Sequence, residues 1–267
     1  MMYEVPRGRL LSAQMLHATA CRAIFNLGGH RDSPLIPRGR PPTKQEREEL
    51  HLRNLFWICY KLDKDVALRT GQPPLINDDY CNLSLSPPQC SCPGGNCFET
   101  SSPGTNSTDS TRPPYGCRTI PEPDDLRRLD VLKSKACKLL YSADSSQKSD
   151  AELLRAIREL DDELESWRAS LPPKCAPSLS ICTSAAIDVA LDASLSMLHI
   201  ELHLQYRFLL VIIHSASSRC TITTRRTGVK DLGFGVQSSL ELSVEASRST
   251  LIYLTAAGHR IASEAFW

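Results

Sequence analysis

The sequence predicts an all-α protein, and three observations carry this prediction. Apolar residues recur at helical spacing along most of the chain, no run alternates between apolar and polar residues as a half-buried strand would, and glycine or proline stop signals follow the periodic segments. The composition, with 41% hydrophobic and 23% charged residues, is that of an ordinary globular protein. We therefore expect an irregular multi-helix domain that carries a disordered Pro/Ser/Gly-rich insert.

The first two helices are predicted from their ends. A helix is expected over residues 11–27, after which Gly28 and Gly29 suit a left-handed cap. Thr43 and Glu46 form a capping box, in which each residue binds the other's backbone N–H, and this box opens the second helix.

The second helix has a well-defined stop and a dense apolar face. Gly71 ends it, and two prolines directly afterwards prevent its continuation. We expect Phe56 and Trp57 to serve the protein core, because the helix is too apolar to be solvated. The acidic loop that follows is interpreted as a connection between core helices. The residues of the apolar face are Leu52, Leu55, Phe56, Cys59 and Leu62.

Residues 86–123 form the predicted low-complexity insert. They contain eight prolines and four glycines, a composition that cannot bury enough apolar surface to offset the entropy lost on ordering. We expect the insert to be dispensable for folding. Four cysteines within it have the spacing C-x-C-x4-C-x19-C, which matches no common zinc pattern and predicts no metal site; they are Cys90, Cys92, Cys97 and Cys117.

Three further helices are predicted in the C-terminal half. From residue 150 onwards, apolar residues recur at steps of 4, 3, 4, 3 and 4 until Pro172 stops the run. Residues 178–227 lack Gly and Pro and predict a buried helix, whose clean apolar run of six residues is too short for a membrane span of about 18–20. A last helix is expected to start near Ser238, where Glu241 completes a capping box.

A candidate zinc site is the pattern HIELH at residues 199–203. His199 and His203 lie one helical turn apart and could both bind zinc, as in metalloproteases. Those enzymes place a glutamate directly after the first histidine, but this chain has Ile200 there, and Glu201 lies about 200° around the helix. The general base would point the wrong way, so we interpret both histidines as packed or partly exposed.

The alternative function comes from the acidic stretch DDELE, residues 161–165. It fits the DDxxD/E motif with which all-helical terpenoid synthases hold magnesium on a diphosphate. The apolar residues of the same helix already define its buried face, however, and the second metal motif of those enzymes is missing. The carboxylates are therefore expected to point mainly to solvent; they are Asp161, Asp162 and Glu165.

Other common catalytic and cofactor motifs are absent from the sequence, including the P-loop, the dinucleotide-binding glycine pattern and the nucleophile elbow. The formal net charge of +1 gives no whole-chain attraction to DNA or to an anionic membrane. The eleven cysteines form no CxxC pair, which is typical of reduced thiols in the cytosol or nucleus. We predict no enzyme activity, no catalytic residue, and no metal or cofactor in this chain.

Residues 50–85 carry a family resemblance. The string LHLRNLFWICYKLDKDVALRTGQPPLINDDYCNLSL resembles the signature of the fungal-specific transcription factor domain, the helical middle homology region of fungal zinc-cluster transcription factors. The match departs at Ser86, where the family usually has proline. The matching residues are Arg53, Leu55, Phe56, Trp57, Tyr60, Leu62, Asp63, Leu68, Gly71, Pro73, Ile76, Asp78 and Leu85. An upstream match to the end of the preceding family helix consists of Leu27, Gly28, His30 and Arg31.

The resemblance implies a regulatory domain of a nuclear regulator of RNA polymerase II transcription. Such proteins bind DNA through an N-terminal cluster in which six cysteines hold zinc, and they often act as dimers with co-regulators. The beginning of that cysteine pattern, C-x2-C-x6-C, is absent from this chain. Zinc and DNA contact are therefore expected only in the missing cluster. We expect residues 1–267 to be one helical domain, incomplete at its N-terminus, located in the nucleus and not in a membrane.

Overall fold

The computed structural model describes residues 10–31, 41–85, 121, 123–173, 175–179, 193–220 and 230–264. Helices, short 3₁₀ turns and loops make up these ranges, and no strand occurs in them, which confirms the predicted all-α class. The helices are α1 (Leu10–Asn26), α2 (Lys44–Thr70), α3 (Pro123–Leu140), α4 (Asp150–Ser170), α5 (Ala193–Ser215) and α6 (Lys230–Glu264).

The predicted insert lies outside the described ranges except for residues 121 and 123, and its four cysteines lie outside them entirely. The described chain falls into two compact units. The first contains α1, α2, the loop up to residue 85, and residues 127–143, which include most of α3. The second contains the beginning of α3 together with α4, α5 and α6. A single domain over residues 1–267 stays a prediction.

The ends of the first two helices are confirmed. Gly28, just after α1, has a φ of 83°, and Gly71, at the end of α2, has a φ of 70°, so both adopt the left-handed conformation that glycine favours. At the start of α2, the Thr43 N–H donates to Glu46 Oε2 at 2.7 Å, and the Glu46 N–H donates to Thr43 Oγ1 at 3.3 Å. This is the predicted capping box.

The core of the first unit lies between α1 and α2, which pack against each other. The backbone at Gly29 passes close to α2, since a Cβ atom there would lie 3.0 Å from Ile24 Cγ2 and 3.1 Å from Leu52 Cγ. Phe56 is fully buried and Trp57 is 5% exposed, which confirms that both serve the core. The buried members of this apolar cluster are Cys21, Ile24, Phe56, Trp57, Cys59, Tyr60 and Ile76.

Helix α3 is missing from the sequence-based prediction. Pro123, the last residue of the predicted insert, is the first residue of this helix, and Asp124 and Asp125 lie in its first turn. Proline at the first position and acidic residues in the first turn are both typical of helix starts. The proline-rich composition directly upstream obscured this signal. The buried apolar residues of α3 recur at helical spacing and are Leu129, Leu132, Ala136 and Leu140.

In the second unit, α5 and α6 pack along each other, and α4 contacts both. The predicted apolar face of α4 is confirmed, because all six of its residues are buried. Trp167 on this face stacks on Tyr206 with ring centroids 6.4 Å apart, and its Nε1–H donates to the carbonyl oxygen of Asp125 at 2.7 Å. The six residues are Leu153, Ile157, Leu160, Leu164, Trp167 and Leu171.

The predicted start of the last helix is wrong. Helix α6 begins at Lys230, so Ser238 and Glu241 lie inside it and do not form a cap. Two glycines near its start look like helix breakers, but the helix continues through them. A Cβ atom on Gly235 would lie 3.4 Å from the guanidinium of Arg158 and 4.0 Å from Leu154. Close packing on α4 therefore outweighs the weak helix propensity of glycine.

Candidate functional site

The buried face of α2 contains charged residues as well as apolar ones. Arg53, Asp63 and Lys64 are 6%, 3% and 0% exposed, respectively. A buried charge is costly unless a partner and hydrogen bonds replace its water. Here the partners come from the chain that follows Gly71, which folds back along α2. We call residues 71–85 the returning loop and the set of Arg53, Tyr60, Asp63 and Lys64 the α2 clamp.

Asp63 holds the beginning of the returning loop through its backbone. Its Oδ1 accepts the N–H of Leu75 at 2.8 Å, and its Oδ2 accepts the N–H of Ile76 at 3.0 Å. Burial alone would raise the pKa of Asp63, but His17, Lys64 and the two amides outweigh burial and lower it. The carboxylate is therefore held in its charged form, and each of its two oxygens accepts one backbone N–H of the loop just before the short 3₁₀ helix Asp78–Tyr80.

Lys64 binds the same loop by donating to one of its carbonyl oxygens. Its Nζ donates to the carbonyl oxygen of Ile76 and lies 3.3 Å from Asp63 Oδ2 and 3.4 Å from Asp78 Oδ1. The ammonium also lies 4.7 Å from the ring centroid of Tyr60, whose hydroxyl donates to Asp78 Oδ1 at 3.1 Å. A fully buried ammonium thus has two carboxylates, a carbonyl and an aromatic face around it.

Arg53 joins the returning loop to the end of α1. Its guanidinium donates to the carbonyl oxygen of Gly29 at 3.3 Å and to that of Asn82. The same group lies 4.8 Å from the ring centroid of Phe56 and 5.2 Å from that of Trp57. The Asn82 N–H in turn donates to the carbonyl oxygen of His30 at 2.9 Å. Three segments that are separate in the sequence therefore meet at one guanidinium.

The structure places the predicted signature residues in two groups. Arg53, Tyr60 and Asp63 belong to the clamp, with the buried Phe56 and Trp57 beside them. The others lie around the clamp. Leu55 packs half-buried on the core cluster, Ile76 is 1% exposed within it, and Asp78 contacts Tyr60 and Lys64. Gly71 ends α2, and Pro73 is exposed. Their standing as a family signature stays a prediction. The acidic loop is more than the expected connection, because it is fastened to α2.

Several functional-looking residues were missed from the sequence. Lys64 shares the face of Tyr60 at a spacing of four, but a lysine is normally expected on a solvated face and not inside an apolar one. A second buried cation, Lys133 on α3, lies 2.7 Å from Asp65 Oδ1 and 2.9 Å from Asp130 Oδ1. Burial raises the pKa of Asp130 to about 6 despite the nearby ammonium of Lys133. The local sequence does not indicate that these lysines are buried, since Asp65 contacts Lys133 from α2, and Ile76 and Asp78 contact Lys64 from the returning loop.

The HIELH residues form a packed aromatic column with a tyrosine of α6. The rings of His199 and His203 stack with centroids 4.2 Å apart, and His203 stacks on Tyr253 of α6 at 5.0 Å. The guanidinium of Arg207 lies over the Tyr253 ring, 4.5 Å from its centroid. Burial, His199 and Arg207 lower the pKa of His203 to about 3. These histidines are therefore neutral packing groups, as the interpretation from the sequence expected.

The DDELE carboxylates are dispersed around α4. Asp162 and Glu165 are exposed, and Glu165 pairs with Arg168 one turn later. Asp161 differs from the expectation, because its Oδ1 lies 3.2 Å from Nε2 of the buried His214. Asp161 is thus engaged in a contact inside the second unit, and Asp162, Glu163 and Glu165 are exposed. This arrangement does not converge on a common magnesium position.

Within the part of the chain that the structure describes, no group of three or more His, Cys, Asp or Glu is arranged to hold a metal ion. No helix in the described ranges combines the length and the hydropathy that crossing a bilayer requires. The cysteines of the insert lie outside those ranges. The charged side chains of the α2 clamp have hydrogen-bond partners on the returning loop and at the end of α1.

Comparisons with known proteins point to one family. The sequence model of the fungal specific transcription factor domain matches residues 1–169. Two relatives, from Aspergillus oryzae and Aspergillus fumigatus, are named ABC-transporter-regulating transcription factors; each is 33% identical over 211 residues, which cover 76% of this chain and 20% of the relative. A transcriptional regulatory protein of Schizosaccharomyces pombe is 26% identical over 186 residues, 61% of this chain and 20% of that protein. The chain spans about a fifth of the length of these relatives. No solved structure matches it.

Proposed function

Because this chain belongs to the fungal-specific transcription factor domain family, we propose that it serves a nuclear zinc-cluster regulator of RNA polymerase II transcription as its regulatory domain. The observation that carries the proposal is the family match over residues 1–169, which contains the α2 clamp and the three segments that the clamp joins. Segments joined in this way can present one surface to co-regulators or to a second copy of the chain. Its action would rest on binding and not on catalysis.

The proposal is tested by tethering the chain to a promoter. The chain is fused to an unrelated DNA-binding domain, and transcription is measured from a reporter of intermediate basal activity in a fungal host. We expect the fusion to change transcription several-fold relative to the DNA-binding domain alone. Asp63→Asn, which breaks the clamp, should abolish the change, and Asp79→Asn on the exposed side of the loop should preserve it. Reporter transcription equal to that with the DNA-binding domain alone would contradict the proposal.

The names of the two Aspergillus relatives suggest a target class. We propose that the genes regulated through this chain include genes for ABC transporters. Deleting its gene should then alter the transcript levels of such transporters in the organism of origin. Unchanged transporter transcripts in the deletion strain would remove this finer proposal and leave the regulatory role intact.

The alternative function, a magnesium-dependent terpenoid-synthase-like enzyme, has no support from the family or from the relatives. We propose that the chain has no such activity, because three carboxylates of its acidic motif, Asp162, Glu163 and Glu165, are exposed on α4 and Asp161 contacts His214. Product formation from prenyl diphosphates with magnesium would overturn this statement.

We expect the chain alone not to bind DNA with sequence selectivity. Specific recognition needs side chains against base edges together with phosphate contacts that position them. The net charge of +1 provides little of the counterion release that drives nonspecific binding, and zinc is expected only in the family's cysteine cluster. A gel-shift assay at physiological salt, with and without zinc, should show no selective complex. A zinc-independent selective complex would show that the helical domain itself reads DNA.

A further inference from the structure

Two cysteines meet in the core of the first unit beside a histidine and a carboxylate. His17 and Cys21 lie one turn apart on α1, and Cys59 and Asp63 lie one turn apart on α2. All four side chains are buried, with exposed fractions of 3%, 4%, 8% and 3%, respectively. Both cysteines are free thiols that belong to one apolar cluster. The pairing of helices therefore brings two thiols together that are far apart in the sequence.

The contacts form a chain from one thiol to the carboxylate. Cys21 and Cys59 both lie in the buried cluster where α1 packs on α2, close enough for a hydrogen bond between the thiols to shift the pKa of each. The Cys21 Sγ lies 3.4 Å from His17 Nε2, and the same nitrogen lies 3.5 Å from Asp63 Oδ1. Asp63 is itself fixed by the amides of the returning loop. The imidazole is therefore placed to accept the proton of Cys21. The neighbouring Asp63 carboxylate would stabilise the imidazolium that forms.

The two thiols are electrostatically unequal. The hydrogen bond from Cys21 lowers the pKa of Cys59, and the nearby His17 acts in the same direction. The same bond, with burial, raises the pKa of Cys21. Burial raises the pKa of the other buried cysteine of this unit, Cys137, to about 11. Cys59 is thus the thiol most readily present as thiolate, which is the reactive form in oxidation and exchange.

We propose that Cys21 and Cys59 are a redox-responsive thiol pair that a hydroperoxide converts into a disulfide joining α1 to α2. The Cys59 thiolate attacks one oxygen of hydrogen peroxide, the O–O bond breaks, and a sulfenic acid and hydroxide form. Cys21 then attacks the Cys59 sulfur after its proton has passed to His17, and hydroxide leaves with that proton as water. Two thiols lose two electrons and two protons in total, and one peroxide becomes two waters.

The disulfide would cross-link the two helices whose packing forms the core of the first unit. A cross-link stabilises a fold mainly by restricting the unfolded chain. Oxidised chain should therefore melt at a higher temperature than reduced chain, and dithiothreitol should reverse the rise. This property is independent of the proposed transcriptional role, because it is measured on the purified chain.

The test maps the disulfide directly. Reduced, folded chain is treated with hydrogen peroxide, its remaining thiols are alkylated, and it is digested with trypsin. We expect a linked pair of peptides covering residues 10–22 and 54–61, which contain Cys21 and Cys59 and which separate again on reduction. In brief alkylation before oxidation, Cys59 should react about tenfold faster than Cys137. The variant Cys59→Ala should form no link and show no melting shift, whereas Cys137→Ala, equally buried at 8%, should behave as wild type.

Three results would overturn the proposal. The first is a peroxide-treated folded chain in which both residues remain thiols. The second is a mixture in which Cys21 links to several other cysteines, as expected from random oxidation of unfolded chain. The third is one equivalent of tightly bound zinc that protects both thiols, which would make them metal ligands. The wild-type melting comparison decides the matter even if a cysteine variant fails to fold.

Discussion

Replacing Phe56 with alanine is expected to lower the free energy of unfolding by about 3–5 kcal/mol, a large part of the roughly 5–15 kcal/mol that a domain has. Phe56 is fully buried in the cluster between α1 and α2, where it contacts the rings of Trp57 and Tyr60 at centroid distances of 5.6 and 5.9 Å. Its removal leaves a cavity that this close-packed core can fill only in part. Urea unfolding followed by circular dichroism measures the effect.

The same helix offers a matched control for Phe56→Ala. Ile58 lies two residues further on but is 55% exposed, so Ile58→Ala removes an apolar side chain without opening a cavity. Its unfolding midpoint should stay near that of wild type. If both variants unfold at the wild-type midpoint, the burial of this helix face does not contribute to stability as described here.

Breaking the α2 clamp is expected to be about as damaging. Asp63→Asn should cost about 3–5 kcal/mol, because it removes one partner of a buried ion pair and leaves Lys64 with less compensation. The amide also offers one acceptor oxygen where the Leu75 and Ile76 amides need two. Asp79→Asn is the control, since Asp79 is exposed and lies 3.9 Å from an equally exposed Lys138. Equal unfolding midpoints for the two variants would contradict the role of the clamp.

The pH dependence of the Asp63 contribution follows from its lowered pKa. A carboxyl group whose pKa is lower in the folded state stabilises the fold above its unfolded pKa, which is about 3.9 for aspartate. The stability difference between wild type and Asp63→Asn should therefore be constant from neutral pH down to about pH 4. It should shrink below that value as the pH falls through the folded pKa. Unfolding curves at a series of pH values measure this difference.

The sequence predicts best what is encoded locally. Both ends of α2 were predicted, because the Thr43–Glu46 capping box and the Gly71 stop each act within a few residues of chain. The face of α4 was predicted because its apolar spacing is regular over the whole helix. The start of α6 was not, because Gly235 looks like a breaker until its packing on α4 is known.

The burial of charged residues in the core could not be predicted from the sequence either. A lysine and an aspartate next to each other on a helix normally indicate a solvated face. Lys64 and Asp63 are buried here because backbone groups of the returning loop replace their water, and that loop has no pattern of its own. The column of His199, His203 and Tyr253 depends in the same way on a second helix. Such partners become visible only in three dimensions.

The clamp makes α2 less tolerant of substitution than the returning loop. Asp63 and Arg53 bind the loop at Leu75 and Asn82 through main-chain N–H and C=O groups, which every residue except proline supplies in full. Leu75, whose side chain is 56% exposed, could therefore be exchanged for many residues without loosening the loop. The helix residues have no such latitude, since their charged side chains make the bonds. A library of variants over residues 53–82 would thus separate into an intolerant helix and a partly permissive loop.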